Sequence, residues 1–164
     1  ERSVRFVTKE EAVISSDIMV NAMNLTKKKE SKFFNVGYFS REYLSMAKDG
    51  IIFINVTRGE IAPESVLLEL YQSGKIAGLG LDVFTNEAEL AKVLLGDSLM
   101  EKEFLAAKTL VNMALERRGN VYVQPHQGFN SDIAAKAKAV EAIKHVVAWY
   151  KNKGKCFDEQ LPYY

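Results

Sequence analysis

The sequence predicts an α/β fold built on a parallel sheet with helices on both faces. Three observations lead there. Runs such as "IIFINV" (51–56) and "IAGLGLDV" (76–83) are apolar throughout, as strands buried on two sides must be. Helical patterns separate these runs, and a parallel crossover needs about a dozen or more residues of that kind. The chain has 164 residues, 48% apolar and 26% charged, enough for one domain with a real core.

The elements follow in order. Thr8-Lys9-Glu10-Glu11 has the spacing of a capping box, so a short helix begins there. "DIMVNAM" (17–23) reads as the first strand. "SREYLSMAKDG" (40–50) reads as a helix with Ser40 as its N-cap and Gly50 as its stop. "IIFINV" is the second strand. Pro63 suits the first position of the next helix, whose one face carries Val66, Leu67, Leu70 and Tyr71 and whose end is Gly74. The third strand spans Ile76–Val83. A charged helical region runs from Glu87 to Arg118, and "NVYVQ" (120–124) is the last strand. Residues 130–153 carry one long amphipathic helix, with Ile133, Ala137, Val140, Ile143 or Lys144, and Val147 at helical spacing. His145 lies beside that stripe and reads as structural or exposed.

Composition narrows the function. A net charge of +1 gives no global field for nucleic acid or an anionic membrane surface. No apolar run reaches bilayer-spanning length. The single Cys156 excludes an intrachain disulfide framework and fits a reducing, cytoplasmic setting. The chain starts at Glu1 without a methionine or a signal-like segment, as expected of a piece of something longer. No cluster suggests a metal site.

In an open parallel sheet, ligands bind beyond the carboxyl ends of the strands. Arg58 follows the second strand, Asp82 and Glu87 close and follow the third, and His126 follows the fourth. Singly, each has an ordinary explanation: a surface cation, a helix cap, a solvated carboxylate, a loop histidine. Jointly they bring a fixed cation, a carboxylate and a proton-exchanging base to one edge. The lone G-x-G at Gly78–Gly80 sits inside a strand without a following helix, so its small residues let a cofactor or helix approach and do not form a phosphate loop.

The stretch "FINVTRGEIAPESVLLELYQSGKIAGLGLDVFTNE" followed by "NVYVQPHQG" resembles the NAD-binding domain of D-isomer-specific 2-hydroxyacid dehydrogenases, and within them the D-lactate dehydrogenase branch. The likeness runs from about Val4 to Lys153. It implies a partial Rossmann-type sheet whose first β-α-β unit is missing. Residues 1–153 would be the C-terminal part of the NAD-binding domain, and 154–164 a connection back toward a substrate domain. It implies that Arg58 grips the substrate carboxylate, that His126 is the acid/base, and that Glu87, five residues after Asp82, pairs with His126. Cofactor contacts would come from Asn24, Thr26, Val56, Thr57, Asp82 and Gly128. The implied partners are NAD, a small 2-hydroxy or 2-oxo acid such as lactate or pyruvate, and a second copy in a homodimer.

The residue types suit that chemistry. Reducing a 2-oxo acid takes a hydride from the cofactor and a proton on the carbonyl oxygen. Histidine exchanges protons near neutrality, and a neighbouring carboxylate favours its charged form. An arginine fork matches a carboxylate bidentately.

Some positions depart from the family pattern. The glycine-rich turn G-x-G-x-x-G and its ribose-binding acid occur nowhere in the 164 residues, so these residues alone are expected to be inactive. Asn24 stands where proline is usual, and Ala88 replaces another proline, as in the lactate branch. The insert from Ala88 to Gly119 is long, again as in that branch, and Gln127 and Phe129 alter the active edge. Two other readings compete: an inactive NAD(H)-sensing interaction module of the same fold, and a structural fragment that self-associates. The presence of Arg58, Glu87 and His126 together favours the enzyme.

Overall fold

Four short strands run parallel and pair in the order in which the chain makes them. They are β1 (Ile18–Asn21), β2 (Ile51–Asn55), β3 (Ile76–Leu81) and β4 (Val121–Val123). The computed structural model describes residues 5–96, 101–128 and 130–154. It divides into two units, Glu1–His126 and Gln127–Tyr164.

Every crossover carries helix, as parallel pairing requires. Helix α1 (Lys9–Ser15) precedes β1, and α2 (Arg41–Ser45) leads to β2. A single 3-10 turn (Gly59–Ile61) and α3 (Glu64–Gln72) join β2 to β3, and α4 (Glu87–Leu94) with α5 (Lys102–Leu115) join β3 to β4. The expected N-caps Thr8 and Ser40 form, whereas α2 ends at Ser45 with Met46 as its C-cap, short of the expected stop at Gly50. The Thr8 hydroxyl accepts from the Glu11 amide at 3.1 Å, and Ser40 accepts from Tyr43 at 3.2 Å. Gly74 ends α3 at φ 80°, where a side chain would be strained.

The elements are shorter than the sequence suggests. The expected first strand, 17–23, is regular only at Ile18–Asn21. The third ends at Leu81 rather than Val83, because the chain bends at Asp82. Pro63 is the N-cap of α3 and not its first helical residue: at φ −55°, ψ 131° its ring suits the extended entry. The charged helical region 87–118 holds two helices, α4 and α5. A β-carbon at Gly78 would fall on the side chain of Asn120, which donates to the Ala77 carbonyl at 3.1 Å, so the missing side chain admits a neighbouring residue.

Burial explains the packing. Met19, Phe53, Leu79 and Leu81 point to one face of the sheet and lie at most 8% exposed. Leu44 of α2, Leu67 and Leu70 of α3 and Leu110 of α5 bury against them. Phe39 meets Phe53 edge-on, with ring centroids 4.8 Å apart. Each such side chain contributes about 1.5–3 kcal/mol on burial, so this layer fixes the sheet. The opposite face is apolar too, as a two-sided sheet needs, but within the first unit it stays partly open: Ile18 and Val20 are exposed, Ile52 and Ile54 half-buried. The expectation of helices on both faces is therefore met on one face of this unit.

The second unit carries α6 (Asp132–Lys151), capped by Ser131, whose hydroxyl accepts from Ala134 at 3.2 Å. Its expected stripe forms, yet none of its residues is buried; Ile133 is 83% exposed. His145 is exposed, beside Glu141. Phe129, Cys156 and the connection expected at 154–164, apart from Gly154, lie outside the described residues.

Candidate active site

Strand β2 ends in Asn55, which is 1% exposed, and a buried amide must find partners. Its Oδ1 accepts from the Thr57 amide at 3.2 Å and from Asn21 Nδ2 at 2.9 Å. Its Nδ2 donates to the Arg58 carbonyl at 3.0 Å. Asn21, one strand over, also donates to the Thr57 hydroxyl at 2.8 Å. Two buried amides thus shape the turn that delivers Arg58 to the surface. A strand that reads as wholly buried is followed by an exposed arginine because its last residue, Asn55, shapes the turn that leads the chain outward.

The guanidinium of Arg58 donates to the Thr57 carbonyl at 2.7 Å. Glu60 follows closely. Burial works against its charge, but Lys27 at 2.7 Å, a backbone amide and Arg58 outweigh this and hold its carboxyl below the usual range.

Strand β3 delivers Asp82, 6% exposed, its amide bound to the Asn55 carbonyl at 3.0 Å. The chain then turns through Phe84–Glu87. Asn86 adopts φ 46°, in the left-handed region, and the Phe84 amide donates to Glu87 Oε1 at 3.3 Å. Strand β4 delivers Pro125 and His126, and His126 is also left-handed, at φ 54°. Residues held in this region cost energy and concentrate at functional sites. Here one of them, His126, is half of a pair and the other, Asn86, directly precedes the second half: His126 Nδ1 lies 3.0 Å from Glu87 Oε2. An ionised carboxylate only accepts, so in this pair the imidazole is the donor, through Nδ1.

The structure thus joins Glu87 to His126 and sets Arg58 and Asp82 at the ends of the neighbouring strands. Thr26 and Asn24 lie in the loop after β1. Asn35 clamps that loop, accepting from the Thr26 amide at 2.8 Å and donating to the Asn24 carbonyl at 2.7 Å. Val56 is exposed and Thr57 half-buried beyond β2. Gly128 belongs to the second unit.

Two hollows adjoin these residues. A cavity of about 470 Å³ reaches Glu87 and His126 and is walled by Leu90, Leu94, Val111 and Leu115. A groove of about 350 Å³ runs along the half-open sheet face to Val56, Asp82 and Gln124. The groups at its end suit the nicotinamide half of a dinucleotide: a carboxylate acceptor in Asp82 and an apolar wall in Val56. A phosphate cradle of the G-x-G-x-x-G type is absent from the sequence. Among the described residues, no three His, Cys, Asp or Glu side chains group to hold a metal, and no helix is long and apolar enough to cross a membrane.

Sequence reasoning missed Asn21, Asn55 and Glu64. Both asparagines fall inside the stretches read as strands, 17–23 and 51–56, where a lone amide gives no sign of the turn it shapes. Glu64 opens a helix, where a carboxylate reads as a partner of the helix dipole. In the structure it is 2% exposed, and Oε1 accepts the Thr85 amide at 2.6 Å.

Comparison with known proteins gives one consistent result. The family described as "D-isomer specific 2-hydroxyacid dehydrogenase, NAD binding domain" matches residues 1–128. An aromatic 2-oxoacid reductase of Clostridium sporogenes is 29% identical over 127 residues, 77% of this chain and 36% of the relative. A D-lactate dehydrogenase of Lactiplantibacillus plantarum is 31% identical over 101 residues, 61% of this chain and 28% of the relative. The solved D-lactate dehydrogenase of Aquifex aeolicus, complexed with NAD and lactic acid, superposes with a TM-score of 0.67 at 29% identity, covering 89% of this chain and 40% of that one. The chain spans well under half the length of each.

Proposed function

Since the chain belongs to the NAD-binding domain family of the D-isomer-specific 2-hydroxyacid dehydrogenases, we propose that it is the catalytic half of an NAD-dependent oxidoreductase acting on a small 2-hydroxy or 2-oxo acid of the lactate and pyruvate kind. The observation that carries this reading is the 3.0 Å pair between His126 Nδ1 and Glu87 Oε2 at the strand ends. A pure NAD(H)-sensing module has no use for an oriented imidazole.

The proposed roles follow from the side chains. NAD, when bound, supplies or accepts the hydride. Arg58 binds the substrate carboxylate with its fork, which orients the carbonyl. His126 gives a proton from Nε2 to the carbonyl oxygen during reduction and takes it back during oxidation. Glu87 holds Nδ1–H, which fixes the tautomer and stabilises the charged ring. Asp82 accepts from the nicotinamide carboxamide, with Asn24, Thr26, Val56, Thr57 and Gly128 as further cofactor contacts. The same reading includes a cytoplasmic homodimer without nucleic-acid or membrane partners.

The test is NADH-dependent reduction of 2-oxo acids of increasing side-chain size by the full-length protein. Turnover of small 2-oxo acids is expected; no turnover of any of them would sink the reading. The 164 residues alone should bind NADH poorly, since they carry no glycine-rich phosphate turn. Calorimetric titration showing micromolar binding by these residues alone would contradict that.

A further inference from the structure

We propose that Glu64 is a positioning residue that ties the loop carrying Arg58 to the turn carrying Glu87, and through Glu87 orients His126. The inference deepens the function proposed above and rests on it.

Glu64 opens α3, six residues after Arg58, in the same crossover. A carboxylate that merely complements a helix dipole stays in solvent. This one is buried, and a buried carboxylate is costly unless it is bound. Its Oε1 takes the Thr85 amide at 2.6 Å, while Oε2 has no hydrogen-bond partner among the described residues. The arrangement costs the fold something, and what it secures is the Phe84–Glu87 turn. That turn needs securing because Asn86 holds a left-handed backbone.

The contact continues outward from Thr85. The Phe84 amide reaches Glu87 Oε1 at 3.3 Å, and Glu87 Oε2 reaches His126 Nδ1 at 3.0 Å. The anchor is itself held. Ser65, next to Glu64, donates its amide and its hydroxyl to the two oxygens of Glu103 on α5, at 2.9 and 2.6 Å. The loops also touch directly. A β-carbon at Gly59, the residue after Arg58, would fall on the backbone of Phe84 and Thr85. Arg58 and Glu87 therefore stand on two loops clasped at one point, and Glu64 is the polar half of that clasp.

The test compares the full-length wild type with Glu64→Gln, Glu64→Ala, Glu87→Gln and the double variant Glu64→Ala/Glu87→Gln. Nuclear magnetic resonance of the imidazole protons reads the His126 Nδ1–H bond whether or not the protein turns over a substrate. Glutamine keeps an acceptor for Thr85, so Glu64→Gln should keep the hydrogen-bonded proton signal and near-normal kcat. Glu64→Ala should lose the signal and lower kcat on the order of 10–100-fold, the scale of a small misplacement of a reacting group. KM for NADH should hold. The alanine change should add little once Glu87 is glutamine, because its effect passes through Glu87. If Glu64→Ala does not fold, Glu64→Met, similar in volume and without a strong acceptor, is measured in its place. An unchanged imidazole signal, or Glu64 and Glu87 effects that multiply independently, overturns the proposal. A wild type that shows the signal but reduces no 2-oxo acid refutes the dehydrogenase reading instead.

Discussion

Arg58 shows how much one position owes to its neighbours. Its exposure is set by Asn55 and Asn21, which turn the chain out of the sheet, and its usefulness is set by the geometry of guanidinium. Arg58→Lys keeps the charge and loses the fork, so it is not a mild change. In the full-length protein the loss should fall on kcat/KM for the 2-oxo acid, with NADH affinity little altered. Steady-state kinetics with an equal loss in NADH binding would assign Arg58 to the cofactor. The places of Arg58, Glu87 and His126 beyond the strands were legible in the sequence because each follows an apolar run within a few residues, and strand ends meet at one edge of a parallel sheet. Asn21, Asn55 and Glu64 were not. What makes them matter is contact across 34, 3 and 21 residues of sequence respectively, and only the shortest of these spacings is local.

At the scale of elements, the sequence placed every strand and helix of the described residues but drew them too long. Periodicity reports where apolar residues recur; it does not report where the backbone leaves the ladder. β3 shows the difference: Leu81 is its last paired residue, and Asp82 and Val83, although buried, already belong to the turn. Helix α3 offers a direct test. Burial raises the Glu64 carboxyl above the ordinary range, the Thr85 amide and hydroxyl and its own amide pull it down, and Glu103 on α5 pushes it up. The folded state therefore keeps the proton to higher pH than the unfolded chain. Its contribution to stability is full below the ordinary glutamate value of 4.5 and is lost as pH rises through the raised folded value. Glutamine has no such proton. The stability of Glu64→Gln relative to wild type, read from denaturant midpoints, should rise across that window toward neutral pH. A difference that stays flat with pH would mean that Glu64 is ordinary in its titration.

At the scale of the molecule, the first unit is one well-buried layer of helices on a four-stranded sheet, with β1 at its edge. The other sheet face keeps apolar residues partly open, and the second unit presents an apolar stripe on α6 with none of its residues buried. The amphipathic stripe of α6 was legible in the sequence, but its burial was not, because a pattern of apolar positions does not say what will cover them. The function proposed for the whole depends on a small part of it: the strand ends where Glu87 meets His126. The most direct measurement is kcat for NADH-dependent reduction of a small 2-oxo acid by the full-length protein, wild type against His126→Ala, with NADH affinity measured alongside. Loss of the acid/base should lower kcat by about 10²–10⁴-fold while NADH still binds. A His126→Ala protein with near wild-type kcat would remove the histidine from the chemistry and contradict the account.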